Sequence, residues 1–178
     1  TYLGGRYVEI PVSALNYPEF LAFHKLENSH ENLVQYLKYG GLPYLIHLDL
    51  SDETVFDYLK NISQSILFRD VVSRFEVRNV DFLNRLIRYL ANETGNVISA
   101  RGISKFLKSQ NVSISINAIL NYLTYLTTAM LIAGVQRSDI QGKKVFEVGE
   151  KYYFNDIGLR NSIAGFSPFD LGQIIENA

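Results

Sequence analysis

The sequence predicts a mainly α chain of the α+β kind, a helical subdomain followed by a winged helix-turn-helix domain with a β-hairpin wing. Three observations predict it. Ile116, Ile119, Leu120, Leu123 and Leu126 recur at helical spacing. Two β-rich stretches follow, residues 131–135 and residues 144–146 running on to 151–154, about a turn that contains Gly142 and the basic pair Lys143 and Lys144. Upstream, Phe82, Leu83, Leu86, Ile87 and Leu90 form one apolar stripe and Ile103, Phe106 and Leu107 a shorter one. Three helices and a hairpin therefore stand in winged-helix order.

Element by element, residues 6–12 read as a strand and Glu19 to Ala22 as a short helix, with Pro18 suited to its first turn. The next helix, Glu31 to Tyr39, ends at Gly40 and Gly41, and Pro43 blocks its continuation. Val55, Tyr58, Leu59, Ile62, Ile66, Val71 and Phe75 predict a long helix from Asp52, kinked near Phe68. Asp49, Asp52 and Glu53 read as helix-capping charges rather than a catalytic pair. The polar connector 75–81 leads to the winged helix, whose first helix takes Asp81 as N-cap. Residues 110–115 form the turn before the third helix, Ile114 to Met130, with Ser113 or Ser115 as cap. Residues 155–164 read as a helix, 165–170 as a turn-rich linker, and the last residues as the start of an amphipathic helix. The domains expected are 1–79, 80–165 and 166–178.

An apolar content of 47% is ample for packed cores, and the net charge of −1 gives no overall basic field. Any nucleic-acid contact has to come from a local patch. Cysteine is absent, which excludes disulfides and thiol nucleophiles. The three histidines, His24, His30 and His47, lack metal-ligand spacing, so no metal site is expected. No apolar run approaches the roughly 20 residues of a membrane span, and a cytoplasmic protein without membrane partners is expected.

The strings GGRYVEIPVSAL, PEFLAF, YLKYGGLP, ILFRDVVSRFEVRN and KYYFNDIGLRN, in this order, resemble the C-terminal half of prokaryotic AAA+ ATPases that carry the DUF4143 domain of unknown function. The resemblance implies that residues 1–79 hold the last strand of an ATPase core and a lid-like helical subdomain. It implies a parent that binds ATP and Mg²⁺ and assembles with neighbouring ATPase subunits as a homo-oligomer. Arg6 would then stand where an arginine finger reaches a neighbour's γ-phosphate. Residues 166–178 would then be the start of a nuclease-like domain, with Glu176 as the acidic residue on its helix. The chain has no G-x-x-x-x-G-K-[ST] loop, so no ATP hydrolysis is expected of these residues by themselves.

The DNA-binding candidates come from the winged helix itself. Arg101, Lys105 and Lys108 on its second helix, with Arg137, Lys143 and Lys144 on the wing, suit phosphate, which supplies most affinity and requires cations. Asn117 and Asn121 on the third helix suit base edges. That helix has no Lys or Arg, while Tyr122, Tyr125 and Met130 enrich it in interface residues. A protein-protein or assembly role without DNA contact is the competing expectation.

Overall fold

The computed structural model describes residues 8, 10–109, 112–136, 149–167 and 171–178, and over these the chain is mainly helical with a small antiparallel sheet. Helix α1, Tyr17–His24, opens with a capping box, in which the Asn16 side chain accepts from the Glu19 N–H and the Glu19 carboxylate accepts from the Asn16 N–H. Helix α2, His30–Tyr39, is capped by Ser29 and stops at Gly40, whose φ of +81° is costly for any residue with a Cβ. Pro43–His47 is a 3₁₀ turn, and Ser51 caps α3, Asp52–Ser65. Asp52 and Glu53 occupy the first turn of α3, where carboxylates suit the free amides.

The kink expected near Phe68 takes the form of a π-helical segment, Ile66–Ser73, continuous with α3. Adding one residue per turn rotates the stripe, so Leu67 and Val71 continue the buried face begun by Val55 and Leu59. Helix α4, Val80–Asn92, is capped by Asn79 rather than the expected Asp81. Asp81 instead holds Arg85 at 2.9 Å across one helical turn. Then come β1 (Val97–Ile98), α5 (Ala100–Ser109), α6 (Ile116–Thr128, capped by Ser115), β2 (Ile132–Val135), β3 (Glu150–Phe154), α7 (Ile157–Ala164) and α8 (Leu171–Asn177). Nothing in the residue pattern signals β1, which is two residues long.

The sheet order is β1-β3-β2, with β3 antiparallel to both neighbours; Ile132 pairs with Phe154 and Val97 with Lys151. Val8 and residues 10–12, the described part of the expected opening strand, are exposed and form no strand among the described residues. The reason is that no described strand runs beside them to accept a ladder of hydrogen bonds.

The main buried cluster runs from Tyr39, Leu45, Val55 and Leu59 through α4 to α6 and the sheet. Helix α7 packs against α2, α3 and α4 and ties the cluster together. Asp156 caps α7 through the Leu159 N–H at 2.9 Å and accepts from the Gly41 N–H at 2.7 Å. Asn161 donates to the carbonyls of Leu37 and Lys38, and the Arg160 guanidinium to those of Ala91 and Gly165. Buried carbonyls at the ends of α2 and α4 are thereby satisfied from one short helix.

Candidate nucleic-acid interface

Arg101, Lys105 and Lys108 stand at i, i+4 and i+7 on α5, opposite the buried Ile103, Ser104 and Leu107, and all three are exposed. Among the described residues none of the three meets a carboxylate. Helix α5 is therefore a cationic face that no ion pair among the described residues neutralises.

Helix α6 is different. Asn117 and Asn121 are exposed on it one turn apart, as a groove-reading face would need. Around them lie Ile116 and Leu120, 40% and 47% exposed. Thr124, Thr127 and Thr128 turn their hydroxyls back onto the carbonyls of Leu120, Leu123 and Thr124 at 2.8–3.0 Å, so they are spent within the helix. Between α6 and the sheet lies a groove of about 330 Å³ lined by Leu120, Leu123, Thr127, Gly134, Glu150 and Tyr152. Glu150 there accepts from the Tyr152 hydroxyl at 2.8 Å and from the Gln136 amide at 3.0 Å.

A second concavity, about 400 Å³, separates α4 from α5 and is lined by Arg85, Arg88, Tyr89, Phe106 and Leu107. Sequence reasoning missed it. Phe106 reads as part of the α5 core stripe, since its i, i+3 spacing from Ile103 puts it on the same side of the helix, and nothing in the sequence marks it as half exposed.

Arg6, Arg137, Lys143 and Lys144 lie outside the described residues. Glu176, on α8, accepts from Lys151 Nζ at 2.6 Å and from the Tyr153 hydroxyl at 2.8 Å. These partners hold its carboxyl below the usual range, and the same hydrogen bond raises Lys151. Arg69 and Asp70, neighbours in the string most like the ATPases, pair with each other at 3.4 Å. Among the described residues no three His, Asp or Glu side chains converge as a metal set, and no helix is long and apolar enough to cross a membrane.

The chain is thus of a mainly helical class with exposed cations and aromatic and apolar recesses on its surface. It belongs to the family defined by a domain of unknown function, DUF8612, whose model matches residues 30–170. It is 33% identical to an uncharacterized protein of Haemophilus influenzae, over 99% of this chain and 45% of that one. It is 32% identical to an uncharacterized protein of Methanocaldococcus jannaschii, over 99% of this chain and 42% of the other. The chain spans less than half the length of these curated relatives.

This family corrects the expected membership of the DUF4143-bearing AAA+ ATPases. The physical reason lies in what the resembling strings do. YLKYGGLP is a helix stop whose Gly41 docks on Asp156, and KYYFNDIGLRN supplies β3, the Asp156 cap and the buried Arg160 and Asn161. ILFRDVVSRFEVRN is the π-helical segment and its exit. They encode packing, which is not evidence of nucleotide chemistry, and the roles drawn from the resemblance for Arg6, ATP, Mg²⁺ and ATPase neighbours lose the family that implied them.

Proposed function

We propose that the chain is a nucleic-acid-binding module in which the segment from α4 to β3 is a winged helix. The order helix, strand, helix, helix, strand, strand supports the fold reading, as does the central place of β3 between β1 and β2. The observation that carries the binding reading is the exposed row Arg101, Lys105 and Lys108 on α5, which meets no carboxylate among the described residues. In helix-turn-helix docking the helix before the reader crosses the phosphate backbone, and a cation row there suits it. With no cation on α6, Asn117 and Asn121 contribute direction rather than affinity.

Fluorescence anisotropy with a labelled random duplex tests this. Binding at ~50 mM salt should have a dissociation constant of roughly 1–100 μM and weaken steeply at ~200 mM. Arg101→Glu combined with Lys108→Glu should lower the slope of log K against log salt by about two units, near 0.9 per lost contact. No binding at the lower salt would overturn the reading.

One observation favours a second reading, docking of another copy of the chain on α6: Ile116 and Leu120 are exposed beside the apolar groove. Sedimentation should then show an oligomer that Leu120→Asp dissociates. A monomeric wild-type chain removes that reading.

A further inference from the structure

We infer that the cleft between α4 and α5 receives an unstacked base of single-stranded nucleic acid. The inference rests on the nucleic-acid reading above and narrows its ligand. The cleft, about 400 Å³, falls within the size range of small-ligand sites. Its aromatic wall is made by Tyr89 and Phe106, whose ring centroids are 5.1 Å apart with planes at 39°. Phe106 remains 42% exposed beside Ile103 and Leu107, which are 1% and 4% exposed. A phenylalanine in this position costs hydration and packs on one side only, so a ring surface is left available to a flat partner.

Charge identifies that partner. Arg85 and Arg88 both line the cleft, but Arg85 is neutralised by Asp81, whereas Arg88 meets no carboxylate among the described residues. Lys105, next in sequence to Phe106, points about 100° away from it round α5 and does not line the cleft, so Arg88 is the cation that the cleft offers. An aromatic face beside a cation that no described carboxylate neutralises is the combination that binds single strands, with the base on the ring and the phosphate on the cation. Glu93 also lines the cleft and accepts from the Asn96 amide at 3.0 Å. Its repulsion sets the phosphate at Arg88 rather than beside Glu93. A duplex keeps its bases stacked inside and can use the cations of α5 but not the ring.

The test compares a labelled mixed-sequence strand of about 12 nucleotides with the same strand annealed to its complement, at ~50 mM salt, on the whole chain. The strand should bind more tightly. Phe106→Ala should weaken the strand roughly 5- to 150-fold, the equivalent of ~1–3 kcal/mol per stacked base, and leave the duplex unchanged. The chain has no tryptophan, so Phe106→Trp introduces a single indole whose emission a stacked base should quench. Equal binding of strand and duplex, or indole emission unmoved at saturating strand, overturns the inference while the duplex reading stands. Adenosine monophosphate competing as well as the strand, mole for mole, would also overturn it and make the cleft a free-nucleotide site. Failure of both strand and duplex to bind overturns the nucleic-acid reading, and this inference with it.

Discussion

Asp156 is buried, and burial raises its carboxyl to about 6 although the backbone N–H groups of Gly41, Leu159 and Gly158 pull the other way. In the unfolded chain the same acid titrates near ~3.9. The folded state therefore holds the proton more tightly, and this stabilisation is complete below about pH 4 and lost as the pH rises through about 6. Asp156→Asn should abolish that dependence in melts taken from pH 4 to 7. At pH 7 it should also cost ~1–3 kcal/mol, because an amide has one acceptor oxygen for the N–H groups the carboxylate now serves. Gly41 makes the complementary case. A Cβ built there would lie 2.0 Å from the Leu15 carbonyl oxygen, which accepts from the Tyr36 hydroxyl at 3.2 Å and, being backbone, cannot move aside cheaply. Gly41→Ala should thus lower stability by about 3 kcal/mol in urea titration, near the upper end of overpacking costs.

Among the elements, α8 holds the sheet through side chains that imitate a strand. The Asn177 carbonyl oxygen accepts from the Phe154 N–H at 2.8 Å and its amide donates to the Phe154 carbonyl at 2.9 Å. Both bonds fall where β1, only two residues long, leaves the β3 edge unpaired. Asn177→Ala should speed hydrogen exchange at the Phe154 amide by roughly 5- to 10-fold, the equivalent of about 1 kcal/mol for a hydrogen bond, while amides of α4 keep their rates. Unaltered exchange at Phe154 would show that the edge is protected by something other than Asn177. The proposed winged helix gives a test at the same scale through Lys143 and Lys144, which lie outside the described residues. If they grip phosphate, changing both to Glu should flatten the salt dependence of duplex binding by a further two units or so, with Asn121→Ala affecting only a preferred sequence.

Across the whole molecule the core does not pause at the polar connector 75–81. The buried cluster includes Tyr39, Val55 and Leu59 before it and Phe82, Leu86 and Leu126 after it. Phe75 stacks on Tyr125 with centroids 4.2 Å apart and planes at 9°. A fragment of residues 80–165 would keep α7 but lose α2 and α3, leaving Asn161 without the Leu37 and Lys38 carbonyls and Asp156 without Gly41. It would also uncover side chains such as Leu159, each worth about 1.5–3 kcal/mol when buried. This fragment should unfold with a broader, weaker thermal transition than the whole chain, and calorimetry of the two checks it. A sharp transition of the same midpoint would make residues 80–165 energetically independent.

What the sequence determined by itself was local. Helical periodicity found the stripes of α3, α4 and α6, and Gly40, Gly41 and Pro43 located the end of α2, because caps and apolar spacing act within a few residues. The exposed cations of α5 were legible too, since a charge opposite a buried stripe has only solvent to face. Tertiary structure alone decided the rest. The β1 pairing needs β3 more than fifty residues away, and the buried Asp156, Arg160 and Asn161 look in sequence like the polar residues of any short surface helix. Phe106 reads as core until α4 is placed beside it, and only then does its ring line a cleft with Tyr89 and Arg88. Spacing along one helix specifies which residues share a face, but what meets that face is set by the packing of distant segments.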